Sequence, residues 1–97
     1  LLMNHPTLDE FTKTALANGY DTVSVRDWEA NSVAELHTHE FSVHALVTKG
    51  EMWLTRNEVT ERFGVGDSFK MEAMTPHAER YGPEGTTYWA ARKFQKV

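Results

Sequence analysis

The hydrophobic positions of the chain divide it into one helical stretch followed by many short alternating ones. Between Thr7 and Tyr20, Leu8, Phe11, Ala15 and Leu16 recur at helical spacing. Thr7 and Glu10 fit a capping box, in which each side chain satisfies a free backbone donor at the helix start. Gly19 stands where a left-handed C-terminal cap is wanted. Beyond Tyr20 the period changes to that of strands. "DTVSVRDW" alternates, with Val23 and Val25 on one face, and "ANSVAELHTHE" follows. "SVHALVTKG" is a more continuous apolar run ending at Gly50. "EMWLTR" and "VTERFGVG" flank "RNE", which reads as a hairpin turn; "DSFKM" comes next. "HAERY" leads into "GPEG", a strong turn signal, and "TTYWAARKF" closes the pattern. Short strands with turns about every 8–12 residues predict an all-β sandwich or barrel.

Length and composition narrow the class. At 97 residues the chain has room for one core, and a core this small makes dimerisation an expectation. The net charge of −4 is spread along the chain, so no basic stripe marks a nucleic-acid footprint. With no cysteine, disulfides, thiolate metal sites and thiol catalysis are excluded, and any metal must be held by imidazole and oxygen. No apolar run approaches the roughly 20 residues of a membrane helix. The opening "LLMNHP" is too short for a signal peptide, and its first residue suits numbering that begins inside a longer product. The expected compartment is the cytoplasm.

Three of the five histidines fall between residues 34 and 52. On a strand, side chains alternate between faces, so His37 and His39 are expected on one face, about 6–7 Å apart along the backbone. Such a pair can converge on one ion. Alone it is a weak signal, because exposed strand histidines are common. It gains weight from "MTPHAERYG", which puts His77 on a separate strand just after a proline turn.

Taken together, "HTHEFSVHALVTKG" and "GDSFKMEAMTPHAERYG" resemble the two motifs of the cupin superfamily. They stand in the expected order, with Gly50 after the first His pair and Gly66-Asp67 before the second motif in register. The resemblance implies a small antiparallel β-barrel of the cupin or jelly-roll type. Residues 1–20 would form an N-terminal arm and helix, and residues 21–97 a single barrel domain. It also implies that His37, His39 and His77 are metal-binding imidazoles. The full motif carries a glutamate between the His pair and the glycine. Here that position falls on Val43 or, with one extra residue, on His44. A fourth ligand must then come from elsewhere, or open positions complete the site. His44 is one candidate, if a bulge between Glu40 and Val43 turns it inward. Glu79, two residues beyond His77 on the same face, is a second, as ligand or general base. Tyr81 continues that face and is a candidate phenolic donor into the cavity. Glu35 is expected at a solvated rim.

Neutral imidazoles suit zinc, nickel, iron or copper, and a carboxylate in the set would favour iron or manganese. Three protein ligands leave room for water or substrate. Trp53, Trp89, Phe41, Phe63, Phe69 and Tyr88 are expected as core or dimer-interface aromatics. Met52, Met71 and Met74 are expected as gap-fillers. Three functions fit this pattern. One is a metal-dependent enzyme of dioxygenase, lyase or isomerase type on a small oxygenated metabolite in the barrel. The second is a non-catalytic module that senses a small molecule or metal. The third is a metal-free structural barrel. Fold analogy does not choose among them.

Overall fold

A computed structural model describes residues 5–95 of the chain. Part of the opening segment weighed above as a targeting signal lies outside them. Helix α1 (Leu8–Ala17) begins at Thr7, and the capping box is present: the Thr7 hydroxyl accepts from the Glu10 N–H, and the Glu10 carboxylate accepts from the Thr7 N–H. Gly19 follows with φ +87°, the left-handed conformation that the helix end requires. Eight strands come next: β1 (Thr22–Trp28), β2 (Val33–His37), β3 (Phe41–Lys49), β4 (Glu51–Arg56), β5 (Val59–Gly64), β6 (Ser68–Met71), β7 (His77–Tyr81) and β8 (Thr86–Phe94).

The strands form two four-stranded antiparallel sheets, ordered β1-β8-β3-β6 and β2-β7-β4-β5. They lie face to face, and hydrogen bonding does not close them into a continuous barrel. This is the jelly-roll form of the expected fold. The shared core joins Val43, Ala45 and Val47 of the first sheet to Met52, Leu54 and Tyr81 of the second. Met52 and Leu54 are both 0 % exposed. Each such side chain contributes about 1.5–3 kcal/mol through burial. Trp28 of β1 stacks on Tyr81 of β7, rings 4.6 Å apart and nearly parallel, and ties the two sheets together.

The first sheet is covered on its outer face as well. Phe11 and Ala15 of α1 pack on Leu46 and Ala91, with Val23, Trp89 and Tyr20 around them. The Val23–Val25 face of β1 therefore belongs to the outside: Val23 meets the helix and Val25 is exposed. The opposite face of β1, carrying Arg26 and Trp28, looks into the sandwich. Both faces of β3 are largely buried, which is why its sequence reads as a more continuous apolar run and not as clean alternation.

Gly50, in the tight turn between β3 and β4, has φ +71°, and a Cβ there would run into the Gly85 carbonyl. Both facts require glycine at the end of the first motif.

Candidate metal centre

His77 opens β7, a strand interior to its sheet, and is 0 % exposed. β2 is the edge strand beside it, and His37 pairs directly with His77. Simple alternation would not produce that pairing. Ala34 pairs with Glu79, and the register then shifts before His37. The extra residue is a β-bulge, a device that re-aims a side chain at a sheet edge. It leaves Glu35 and Leu36 exposed and turns His37 toward His77. The bulge lies before His37, and not between Glu40 and Val43, where one would have turned His44 inward.

His39 is not on a strand. β2 ends at His37, and His39 lies in the short connection to β3. Two contacts hold it there. Its ring stacks on Phe41, centroids 4.2 Å apart and planes within 3°. Its carbonyl accepts from the Met74 N–H at 2.8 Å. Met74 has φ +66°, in a turn closed by the Thr75 hydroxyl donating to the Glu72 carbonyl. That one turn between β6 and β7 anchors His39 and also presents the Thr75 carbonyl to His77.

The three rings converge. Ring centroids are 4.2 Å apart for His37–His77, 4.8 Å for His39–His77 and 5.7 Å for His37–His39. One nitrogen from each lies within 4.8 Å of the other two, so the group can hold a metal ion. Ligands about 2.0–2.1 Å from one ion are at most about 4.2 Å apart. The exposed His37 and half-buried His39 have room to close that difference.

The hydrogen bonds prepare the rings for this. Nδ1 of His77 donates to the Thr75 carbonyl at 2.8 Å, Nδ1 of His37 to the Glu35 carbonyl at 2.6 Å, and Nδ1 of His39 to the Phe41 carbonyl at 3.4 Å. A carbonyl oxygen only accepts, so each Nδ1 carries the proton and each Nε2 keeps a lone pair. Fixing the tautomer through a backbone carbonyl is the usual support for a metal-binding histidine. Burial, followed by the neighbouring His77, lowers the pKa of His39, which favours its neutral, ligating form.

Glu79 completes the group. It is 7 % exposed, and its Oε1 accepts from the Tyr81 hydroxyl at 2.7 Å and the Tyr88 hydroxyl at 3.1 Å. Burial first, then the charges around them, pushes both phenols far above their ordinary value, so they stay protonated donors. Oε2 is 3.5 Å from Nε2 of His77, too poorly placed for a hydrogen bond, and that buried Nε2 has no hydrogen-bond partner. A lone pair and a carboxylate oxygen facing each other in a buried site are satisfied by a positive charge between or beside them, a proton or a cation. The donor set therefore fits a divalent transition metal.

A cavity of about 100 Å³ opens beside the group, lined by His37, His39 and Glu79 and by inner-face residues of the first sheet. Tyr81 does not line it; this tyrosine acts on Glu79 from behind. His44 takes no part. It pairs with Ala91 on the outer face of β3 and lies under α1, ring centroids 5.7 Å from Phe11 and 6.1 Å from Tyr20. Its expectation as a fourth ligand is corrected: β3 runs without a bulge from Phe41 to Val47, so the parity that buries Val43 turns His44 outward. Tyr88, expected among the core or interface aromatics, also donates to Glu79. Arg26 and Arg92 line the cavity, and Arg92 shares the strand face of Tyr88 and Ala90.

No family model matches the chain, and no curated protein matches it. Solved structures do. An RmlC-like cupin from Shewanella frigidimarina superposes with a TM-score of 0.70 at 18% identity, over 80% of this chain and 69% of that one. KdgF from a Halomonas species gives 0.68 at 16% identity, over 76% and 68%. The DMSP lyase DddQ from Ruegeria pomeroyi gives 0.68 at 19% identity, over 73% of this chain and 36% of the lyase. The chain has the fold of a small cupin.

Proposed function

We propose that this small cupin is a metal-dependent enzyme acting on a small organic substrate held in the cavity beside His37, His39 and His77. The observation that carries the proposal is the orphaned, buried Nε2 of His77, which converges with two other imidazoles and faces the Glu79 carboxylate. His37, His39 and His77 would hold the ion, whose chemistry when bound is to polarise a substrate oxygen or acidify a bound water. Three imidazoles leave coordination positions open toward the cavity. Glu79 is the group for proton transfer at its Oε2. Tyr81 and Tyr88 hold its other oxygen, which leaves one carboxylate oxygen free to take a proton. The apolar walls from β3 and β6 exclude water around a bound substrate. A lyase or isomerase suits this set, since both need proton transfer beside a polarised oxygen.

Metal analysis by mass spectrometry, wild type beside His77→Ala, tests the site. About one equivalent of transition metal is expected in the wild type after reconstitution, and little in the variant. Absence of metal from both would contradict the proposal. A Glu79→Gln variant that binds metal but turns over no substrate would separate proton transfer from ligation.

A further inference from the structure

The cavity beside the imidazoles carries two guanidinium groups. Arg92 projects from the inner face of β8 and lies over the Phe41 ring, 4.7 Å from its centroid. Arg26 projects from the inner face of the neighbouring β1 and lies 5.3 Å from the Trp28 ring. Among the described residues neither has an ion-pair partner within 4.0 Å. Nε of Arg92 is buried and makes no hydrogen bond. Among the described residues Glu79 is the one carboxylate lining the cavity, and its Oε1 already accepts from two phenols.

An unpaired guanidinium with a buried, unsatisfied N–H is costly unless something accepts from it. Among the described residues nothing supplies the acceptor to Arg92 Nε, although the protein as a whole is acidic at a net −4. The positive lining is thus local to this cavity. Each guanidinium lies over an aromatic face, Arg92 over Phe41 and Arg26 over Trp28, a cation–π contact that uses none of its N–H donors. That geometry matches a planar carboxylate, to which a guanidinium donates two parallel hydrogen bonds. The volume of about 100 Å³ suits a short-chain acid.

We infer that the cavity takes a short organic acid, gripped at its carboxylate by Arg92 and Arg26, with its remaining atoms directed at the imidazole group and Glu79. The inference rests on the proposed function and names its substrate class. The Arg pair sits on the first sheet and the imidazoles on and beside the second, so the acid would bridge the two sheets. Carboxylate recognition and metal ligation then belong to different residues, and each can be removed without the other.

Malonate, its neutral analogue malonamide, and inorganic phosphate are the probes, titrated calorimetrically into full-length protein in metal-loaded and metal-free forms. Malonate is expected to bind both forms, more weakly without metal, and to raise the melting temperature. Malonamide is expected to bind at least about tenfold more weakly. Arg92→Gln and Arg26→Gln should each weaken malonate at least about tenfold while keeping the wild-type metal content, and Arg92→Lys should recover part of the loss. Circular dichroism and a cooperative thermal transition report on the folding of each variant, and Arg26→Gln carries the test if Arg92→Gln fails to fold. Equal binding of malonate and malonamide would overturn the inference, as would unchanged malonate affinity in folded variants. Phosphate binding more tightly than malonate would also overturn it, in favour of a phosphorylated ligand. Failure of metal binding with Arg-dependent malonate binding intact would instead overturn only the metal proposal.

Discussion

His77 and His44 occupy comparable positions on interior strands, yet the sandwich gives them opposite surroundings. His77 faces inward, fully buried, with Nδ1 tied to a carbonyl and Nε2 aimed at two other imidazoles and a carboxylate. His44 faces outward beneath α1, against Phe11 and Tyr20, with Lys70 raising the local positive charge. One belongs to a group that could hold a cation, and the other sits where burial and Lys70 disfavour its own charge. The residue type is the same; strand parity, the bulge in β2 and the turn at Met74 make the difference.

The largest effect should separate the two histidines. His77→Ala is expected to abolish metal uptake, while His44→Ala should leave it at the wild-type level, as read by metal equivalents per chain. Comparable metal loss in both would erase the contrast. Next comes the packing of the outer region. Phe11→Ala removes the aromatic that roofs His44 and should cost about 3 kcal/mol in chemical denaturation. Its metal content should not change, because α1 touches no residue of the centre.

A smaller effect is expected at the support of Glu79. Tyr81→Phe removes the 2.7 Å donor to Oε1 but keeps the ring stacked on Trp28. Loss of such an outer hydrogen bond should weaken metal affinity or activity by about tenfold. An unchanged affinity and rate would mean that Glu79 is not positioned by its phenols.

The smallest effect is one of pH. Burial, and then Lys70, lowers the pKa of His44 below the unfolded value of about 6.5. The unfolded chain then takes up the proton first. This contribution to stability is therefore complete above that value and is lost as pH falls through the folded pKa. His44→Gln should flatten the fall of the metal-free melting temperature between about pH 7.5 and 5. The share due to His39, whose pKa is also lowered by burial, should persist. An identical pH profile in the variant would remove His44 from the account.

The fold was legible in the sequence because its local signals agree with one another. The Thr7–Glu10 capping box, the "GPEG" turn and Gly50 each stand where the structure needs them. His37, His39 and His77 were readable as a group through the two motifs. The bulge before His37 was not, because the pattern "AELHTH" alternates acceptably without it and only pairing to β7 reveals the shift. Val23 and Val25 share one face as read, and which way that face turns was not legible, since a face covered by a helix looks like a face turned to the core. Arg26, opposite that apolar pair, reads as solvent-exposed, and only the second sheet makes its side an interior.

The central claim is that one ion sits among these three imidazoles. Anomalous diffraction at the metal edge from crystals of reconstituted protein tests it most directly. A single peak is expected about 2.0–2.2 Å from Nε2 of His37, His39 and His77, facing the Glu79 carboxylate. A peak at His44, or none at the three rings in a crystal whose solution held excess metal, would contradict it.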